Sequence, residues 1–390
     1  MSGSVILKMK KAAVYILRFC LNVIYFVLKL FPVNRSKVTF LSRQSDELSQ
    51  DFKMLQERLL AEKPDTRIVS VTNRLEGENS GGMLKFGIST LKSMYHMATS
   101  KVVVLDSYWP AVSILRHKKS LTVVQIWHAL GKIKQSGYQT LGKESGRSAE
   151  MARLMKMHQG YTYIIAGGKA WNPYYCASFN TTEDSLKNYG LPRIDYLLET
   201  QGENRAKVLD AYPEFADKKI VLYCPTFRRN IEIHWESIVD SLLSAGQGES
   251  ASDTALIVKN HPNQKLEITD EMRKKGVYDC PDLSSAQLLA AADYLITDYS
   301  AISLEGAVLN VKTLYFVYDY EEYRSKNGMN IDLYKEMPGC VFEDADRIAE
   351  IINRDDYPVE ALESYRSRFL PEELGTSTAK ITELILENLL

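Results

Sequence analysis

Two histidines stand where a β-rich run gives way to a turn. His128 follows the run 122–127 and precedes Ala129-Leu130-Gly131-Lys132-Ile133-Lys134. An imidazole delivered by a strand end, with lysines a few positions on, can take a proton from a hydroxyl beside an anionic substrate. His261 repeats the arrangement after the run 255–259 and Asn260, and Pro262 next to it fixes the backbone. A surface or hydrogen-bonded structural histidine fits either pattern alone; their recurrence in two halves of the chain favours a paired functional role.

Three other segments carry groups for an anion. Residues 295–303 run from Leu295-Ile296-Thr297 into Asp298-Tyr299-Ser300-Ala301, then a helix whose first turn holds Ser303 and Glu305. Amides at such a helix start suit a phosphate or diphosphate, while an ordinary N-cap at Ser300 or Ser303 fits the same residues. Cys224-Pro225-Thr226-Phe227-Arg228-Arg229 also follows a strand run. Its arginines suit bidentate bonds to phosphate oxygens, or a solvated loop. The turn Gly190–Asp195 carries Arg193, which either pairs with Asp195 or faces a cleft.

The elements that position these groups alternate. Strands are predicted at 38–42, 67–72, 102–106, 123–127 and 163–166, then at 220–224, 255–259, 294–297 and 313–317. Helices are predicted at 46–62, 86–99, 235–245, 285–292 and 303–309. This reads as an α/β protein of two doubly wound, Rossmann-like domains with parallel sheets. Ligands of such sheets bind beyond the carboxyl ends of the strands, here in a cleft between the domains. The predicted boundaries are a membrane-association helix at 1–35, a first domain at 36–198, a polar linker with Pro213 at 199–218, and a second domain at 219–390.

The 390 residues hold 48 basic and 49 acidic side chains, a net charge of −1 that argues against general nucleic-acid binding. The distribution is uneven. Eight basic and no acidic residues precede position 46, leaving a balance of −9 for the rest. Within the head, residues 12–31 are long and apolar, yet Lys11, Arg18, Asn22 and Lys29 fall within about 40° on one helical face. That pattern predicts a helix lying in the membrane interface, its basic stripe (Lys11, Arg18, Lys29) toward anionic head groups. A helix packed in the protein and a single span are the alternatives. The five cysteines (Cys20, Cys176, Cys224, Cys280, Cys340) form no C-x-x-C pair and read as free thiols, with no metal site.

Taken in order, the segments resemble the CDP-glycerol glycerophosphotransferases, the primases and polymerases of wall teichoic acid. The matching motifs are Gln125-Ile126-Trp127-His128, Gly190–Asp195, the run 223–228, His261-Pro262 and the run 297–303. Tyr318-Asp319-Tyr320-Glu321-Glu322-Tyr323 and Pro338-Gly339 match as well. The chain departs from the family pattern at Ala129, Leu130, Ala301, Glu305 and Asn327.

The resemblance implies a glycosyltransferase-B-like architecture, no cofactor and no obligatory metal. It implies that His128 is the general base, that His261, catalytic with it, contacts the donor diphosphate along with the Ser300/Ser303 turn, and that Thr226, Arg228, Asp298 and Glu305 also bind the donor, with Arg193 as a possible cleft contact. The reaction implied is transfer of an alditol phosphate, glycerol phosphate first, from a CDP-alditol to a hydroxyl of a lipid-linked glycan or alditol-phosphate acceptor, with release of CMP. The implied location is the cytoplasmic face of the cell membrane, with an anionic membrane surface as partner, no nucleic acid, and a homo-oligomer left open. The alternatives are a ribitol donor, a nucleotide-sugar transferase of the same architecture, and a non-catalytic membrane-attached binding protein.

Overall fold

The computed structural model describes residues 3–74, 80–143, 146–226, 239–241, 243, 253–260 and 268–390. They divide into two compact units. The first comprises Met1–Ala129, Gln135–Arg193 and Thr376–Leu390; the second comprises Leu130–Lys134 and Ile194–Gly375.

In the first unit the elements are α1 (Gly3–Leu28), β1 (Asn34–Ser42), α2 (Gln50–Glu62), β2 (Arg67–Thr72), α3 (Ser80–Thr99), β3 (Ser100–Leu105), α4 (Pro110–Ile114), β4 (Thr122–Gln125), α5 (Ala149–Leu154), β5 (Tyr163–Ile165), α6 (Asn172–Phe179) and β6 (Leu186–Lys187). The sheet order is β2-β1-β3-β4-β5-β6, all parallel. Helices on both faces bury such strands completely, which is why β3 and β4 read as near-continuous apolar runs. α2 shows how sequence sets one helix. Ser49 caps it by accepting from the Phe52 amide, and Phe52, Leu55 and Leu59 recur at helical spacing to form its buried face.

α7 (Pro192–Ala211) leads into the second unit. That unit holds β7 (Lys219–Tyr223), β8 (Thr254–Val258), α8 (Asp270–Lys274), β9 (Val277–Tyr278), α9 (Ser285–Ala291), β10 (Tyr294–Thr297), α10 (Ile302–Val308), β11 (Lys312–Phe316), α11 (Tyr320–Asn327), α12 (Leu333–Glu336), β12 (Val341–Phe342), α13 (Ala345–Arg354) and α14 (Val359–Phe369). Its parallel sheet runs β12-β11-β10-β7-β8-β9. α10 lies hard against this sheet. A Cβ on Gly306 would sit 2.9 Å from Leu295 Cδ2 and 3.1 Å from Thr313 Oγ1, so a larger residue there has to displace those side chains. The last helix, α15 (Ser377–Glu387), belongs to the first unit, where it packs on α2, and Thr122 Oγ1 donates to Asn388 Oδ1 at 3.0 Å.

Two expectations change. The stretch 199–218 is no linker: it is helical through Ala211, because Ile194, Leu197, Asn204 and Val208 supply a buried face at helical spacing. Pro213 opens a short 3-10 turn, where its missing N–H costs nothing. The second change concerns α1, whose polar stripe faces the protein. Lys11 pairs with Glu150, Arg18 Nη1 donates to Leu154 O at 2.7 Å, and Asn22 Nδ2 donates to Ile114 O at 3.1 Å. Tyr25 is buried against His117, their Oη and Nδ1 2.8 Å apart. Lys29 lies over the Tyr25 and Phe26 rings. The apolar side chains point outward instead, with Phe19 71% and Phe26 64% exposed and Ile16, Val23 and Leu30 also uncovered. The periodicity gives the two faces; which one docks follows from the carbonyls and the carboxylate the body offers to Arg18, Asn22 and Lys11.

Candidate active site

The first unit presents His128 from a distorted turn. β4 ends at Gln125, and Trp127 adopts φ +61°, a left-handed conformation that costs a bulky aromatic residue of order 1–3 kcal/mol. Buried polar groups hold the turn. The Gln125 carboxamide accepts from the Trp127 amide at 2.8 Å and donates to Ser107 O at 3.2 Å. Around the Trp127 ring stand His128, Phe179 and His158, at centroid distances of 4.2, 5.1 and 5.9 Å.

This frame fixes the tautomer of His128. Nδ1 lies 3.0 Å from the backbone carbonyl of Asp106, which can only accept, so Nδ1 carries the hydrogen and Nε2 carries the lone pair. Gln44 Nε2 also lies 3.2 Å from Nδ1; an amide nitrogen only donates, so with Nδ1 giving its hydrogen to the Asp106 carbonyl this approach is a packing contact. A neutral imidazole held in this way is a proton acceptor at Nε2.

Asp106 is buried immediately after β3, and burial raises its carboxyl to about 6. The Ser42 and Ser107 hydroxyls oppose that rise and the nearby Asp51 charge adds to it. Sequence reasoning passed over Asp106 and Gln44 and gave Gln125 only as part of a motif, with no role of its own. The available signal was a lone acid directly after the run Val102-Val103-Val104-Leu105, at a strand's carboxyl end.

Arg193 pairs with Asp51 at the start of α2: its amide donates at 2.8 Å, its Nε at 2.9 Å, and Nη2 closes an ion pair. Asp51 is 2% exposed, so this bidentate clamp ties the entry of α7 to α2. The Arg193 side chain therefore has a structural partner outside its own turn.

In the second unit the turn after β10 is organised around Asp298. Its carboxylate accepts from the Thr226 amide at 3.1 and 2.9 Å, from the Thr226 hydroxyl, and from the Tyr299 amide at 2.6 Å. Thr297 Oγ1 donates to Cys224 O at 2.7 Å, so two neighbouring residues bind the loop after β7 to the end of β10. Tyr299 stacks on Tyr323 at 3.9 Å and donates to Asp319 at 2.9 Å.

The N-cap of α10 is Ala301, without a side-chain bond. Ser303 is buried and donates to Ser300 O at 3.0 Å; Ser300 itself is half-buried, and its hydroxyl oxygen faces the Ile302 amide at 3.4 Å. Asp298, Thr226 and Ser303 thus bond within and between the loops at these strand ends. Glu305 is half-buried in the first turn of α10, its charge close enough to Cys224 to help raise that thiol. Arg228 and His261 lie outside the described residues.

A separate cavity of about 740 Å³ opens at the other ends of these strands, lined by Arg205, Lys219, Tyr294 and Lys312 among others. Its position sets it apart from the motif residues, which all follow strands.

Comparisons with known proteins agree with this layout. The chain is 28% identical to the teichoic acid ribitol-phosphate primase of Bacillus spizizenii, over 91% of this chain and 92% of that protein. It is 27% identical to the teichoic acid glycerol-phosphate primase of Bacillus subtilis, over 78% and 77%. Among solved structures it is similar to the wall teichoic acid polymerase TagF, in a histidine-to-asparagine variant soaked with CDPG. The TM-score is 0.74 at 17% identity, covering 98% of each chain. A family model matches residues 23–387, and the chain belongs to the CDP-glycerol:poly(glycerophosphate) glycerophosphotransferase family.

Proposed function

We propose that this protein transfers an alditol phosphate from a CDP-alditol to a hydroxyl of a membrane-bound, lipid-linked acceptor and releases CMP. The observation that carries the reading is His128, held with Nδ1–H on the Asp106 carbonyl and its lone pair on Nε2. His128 takes the acceptor's proton as the hydroxyl oxygen attacks the phosphorus bearing the alditol. The bond to CMP breaks in line, its electron pair leaving on the CMP oxygen. Such transfers depend on positioning and charge neutralisation rather than on a covalent enzyme intermediate.

On the donor side, Asp298 and Thr226 hold the loop after β7 in place. Arg228, His261 and Ser300 are assigned to the diphosphate by the family resemblance. Glu305, an anion, suits ribose hydroxyls better than phosphate oxygens. The family description names glycerol phosphate and the Bacillus spizizenii primase names ribitol phosphate, so both donors are within the reading.

The outward apolar face of α1 supports peripheral attachment to the membrane, with Phe19, Phe26 and Leu30 entering the acyl boundary while Lys11 and Arg18 anchor the helix to the protein.

One experiment tests the activity: CDP-glycerol, CDP-ribitol and UDP-sugars are offered with a lipid-linked acceptor in vesicles, and the released nucleotide is identified. CMP is expected, and His128→Ala is expected to lower its release by at least about 10³-fold while keeping the wild-type melting curve. Release of a nucleoside diphosphate, or full turnover by His128→Ala, contradicts the reading. Sedimentation of the protein with the same vesicles checks the attachment; protein left in the supernatant contradicts it.

A further inference from the structure

Asp106 holds His128 with its main chain and buries an acid on the same residue. The carbonyl meets Nδ1 at 3.0 Å, while the residue is 2% exposed and its carboxyl is buried beside the Ser42 and Ser107 hydroxyls. Covalent geometry keeps a carboxyl within about 5 Å of its own carbonyl oxygen, hence within about 8 Å of Nδ1. The nearest hydroxyls, Ser42 and Ser107, already accept the Gln44 and Arg43 amides, which leaves their hydrogens to favour the ionised carboxylate. The charged and titratable groups around this acid are Asp51 with its partner Arg193, Arg43 at the end of β1, and His128. Ionisation of this buried acid carries a desolvation cost that the Ser42 and Ser107 hydroxyls offset only in part.

We propose that Asp106 is a positioning residue for His128: its carbonyl selects the tautomer, and its carboxylate stabilises the imidazolium formed when the acceptor's proton arrives. The proton moves from the acceptor oxygen to His128 Nε2 and stays there until CMP has left; none passes to Asp106. The inference rests on His128 being the base. It adds a pH dependence that a neutral residue at position 106 lacks.

The sign follows from burial. In the folded protein the carboxyl titrates near 6, above its unfolded value of about 3.9, so the native state retains a proton that the unfolded chain has lost. Its contribution to stability is full below the unfolded value and is lost as pH rises through about 6. At pH 7.5 the ionised carboxylate therefore weakens the fold while serving the base. Below pH 6 it is neutral, and the imidazolium loses its partner.

The test compares wild type, Asp106→Asn and His128→Ala by kcat and KM from pH 5 to 8, with melting temperatures on the same preparations. Asp106→Asn is expected to match or exceed wild-type stability at pH 7.5, to lose about tenfold in kcat with little change in donor KM, and to show a shallower acid limb. If His128→Ala stays active, the base assignment fails and this proposal with it. If His128→Ala is inactive but Asp106→Asn keeps wild-type kcat and acid limb, Asp106 alone is ruled out. A loss of kcat that tracks a loss of stability, with an unchanged acid limb, also overturns it. Should Asp106→Asn not fold, Asp106→Ser is read by the same three measures.

Discussion

At the end of β4, buried amides and carbonyls hold a turn that presents an imidazole; at the end of β10, an equally polar turn closes its side chains on one another. Both follow a parallel strand, where ligands of such sheets bind, and both carry residues that read as chemistry. His128 keeps a lone pair on Nε2 because a backbone oxygen engages its other nitrogen. Asp298 directs its carboxylate to Thr226 and Tyr299, and Ser303 turns its hydroxyl to Ser300 O. A polar residue at a strand end is thus either cargo or frame, and its hydrogen-bond partners decide which.

Substitutions sort the two cases. The largest loss of stability is expected for Arg193→Ala, which strands the buried Asp51 carboxylate and should cost about 3–5 kcal/mol. Denaturant unfolding measures it; a cost under about 1 kcal/mol would remove Arg193 from the frame and return it to the substrate side. Asp298→Ala should cost about 2–3 kcal/mol by freeing the Thr226 amide and hydroxyl. Because Thr226 and Asp298 act as one unit, Thr226→Val should add little in the Asp298→Ala background. Independent, additive effects would break the comparison at its centre. The smallest effect belongs to Ser303→Ala, about 1 kcal/mol in stability, with donor KM unchanged once only folded protein is counted. A KM rise there would place the Ser303 hydroxyl on the donor after all.

Much of the scaffold was legible from residues alone. Buried parallel strands announce themselves as runs such as Val102-Val103-Val104-Leu105, and nine of them were located to within a few residues. The two-residue edge strands β6, β9 and β12 were not, because so short a segment carries no period. His128 was legible because a histidine after a β-rich run is conspicuous. Its partner was not, since a main-chain carbonyl has no signature in sequence. The basic stripe of α1 was legible as a stripe. Its direction was not, because amphipathicity says that two faces differ and leaves open what each one meets. The helix predicted at 235–245 falls largely outside the described residues.

The packing of α15 on α2 bears on how the chain is made. Thr122 in β4 bonds to Asn388, 266 positions later, so the unit that holds His128 draws on both its earliest and its latest segments. During synthesis the second unit emerges whole before the first has its last helix. Until residue 388 clears the ribosome, the face of α2 that receives α15 stays uncovered. Folding of the unit that carries His128 therefore waits on residues 376–388, and a nascent chain stalled short of residue 376 would hold a complete second unit and an incomplete first one.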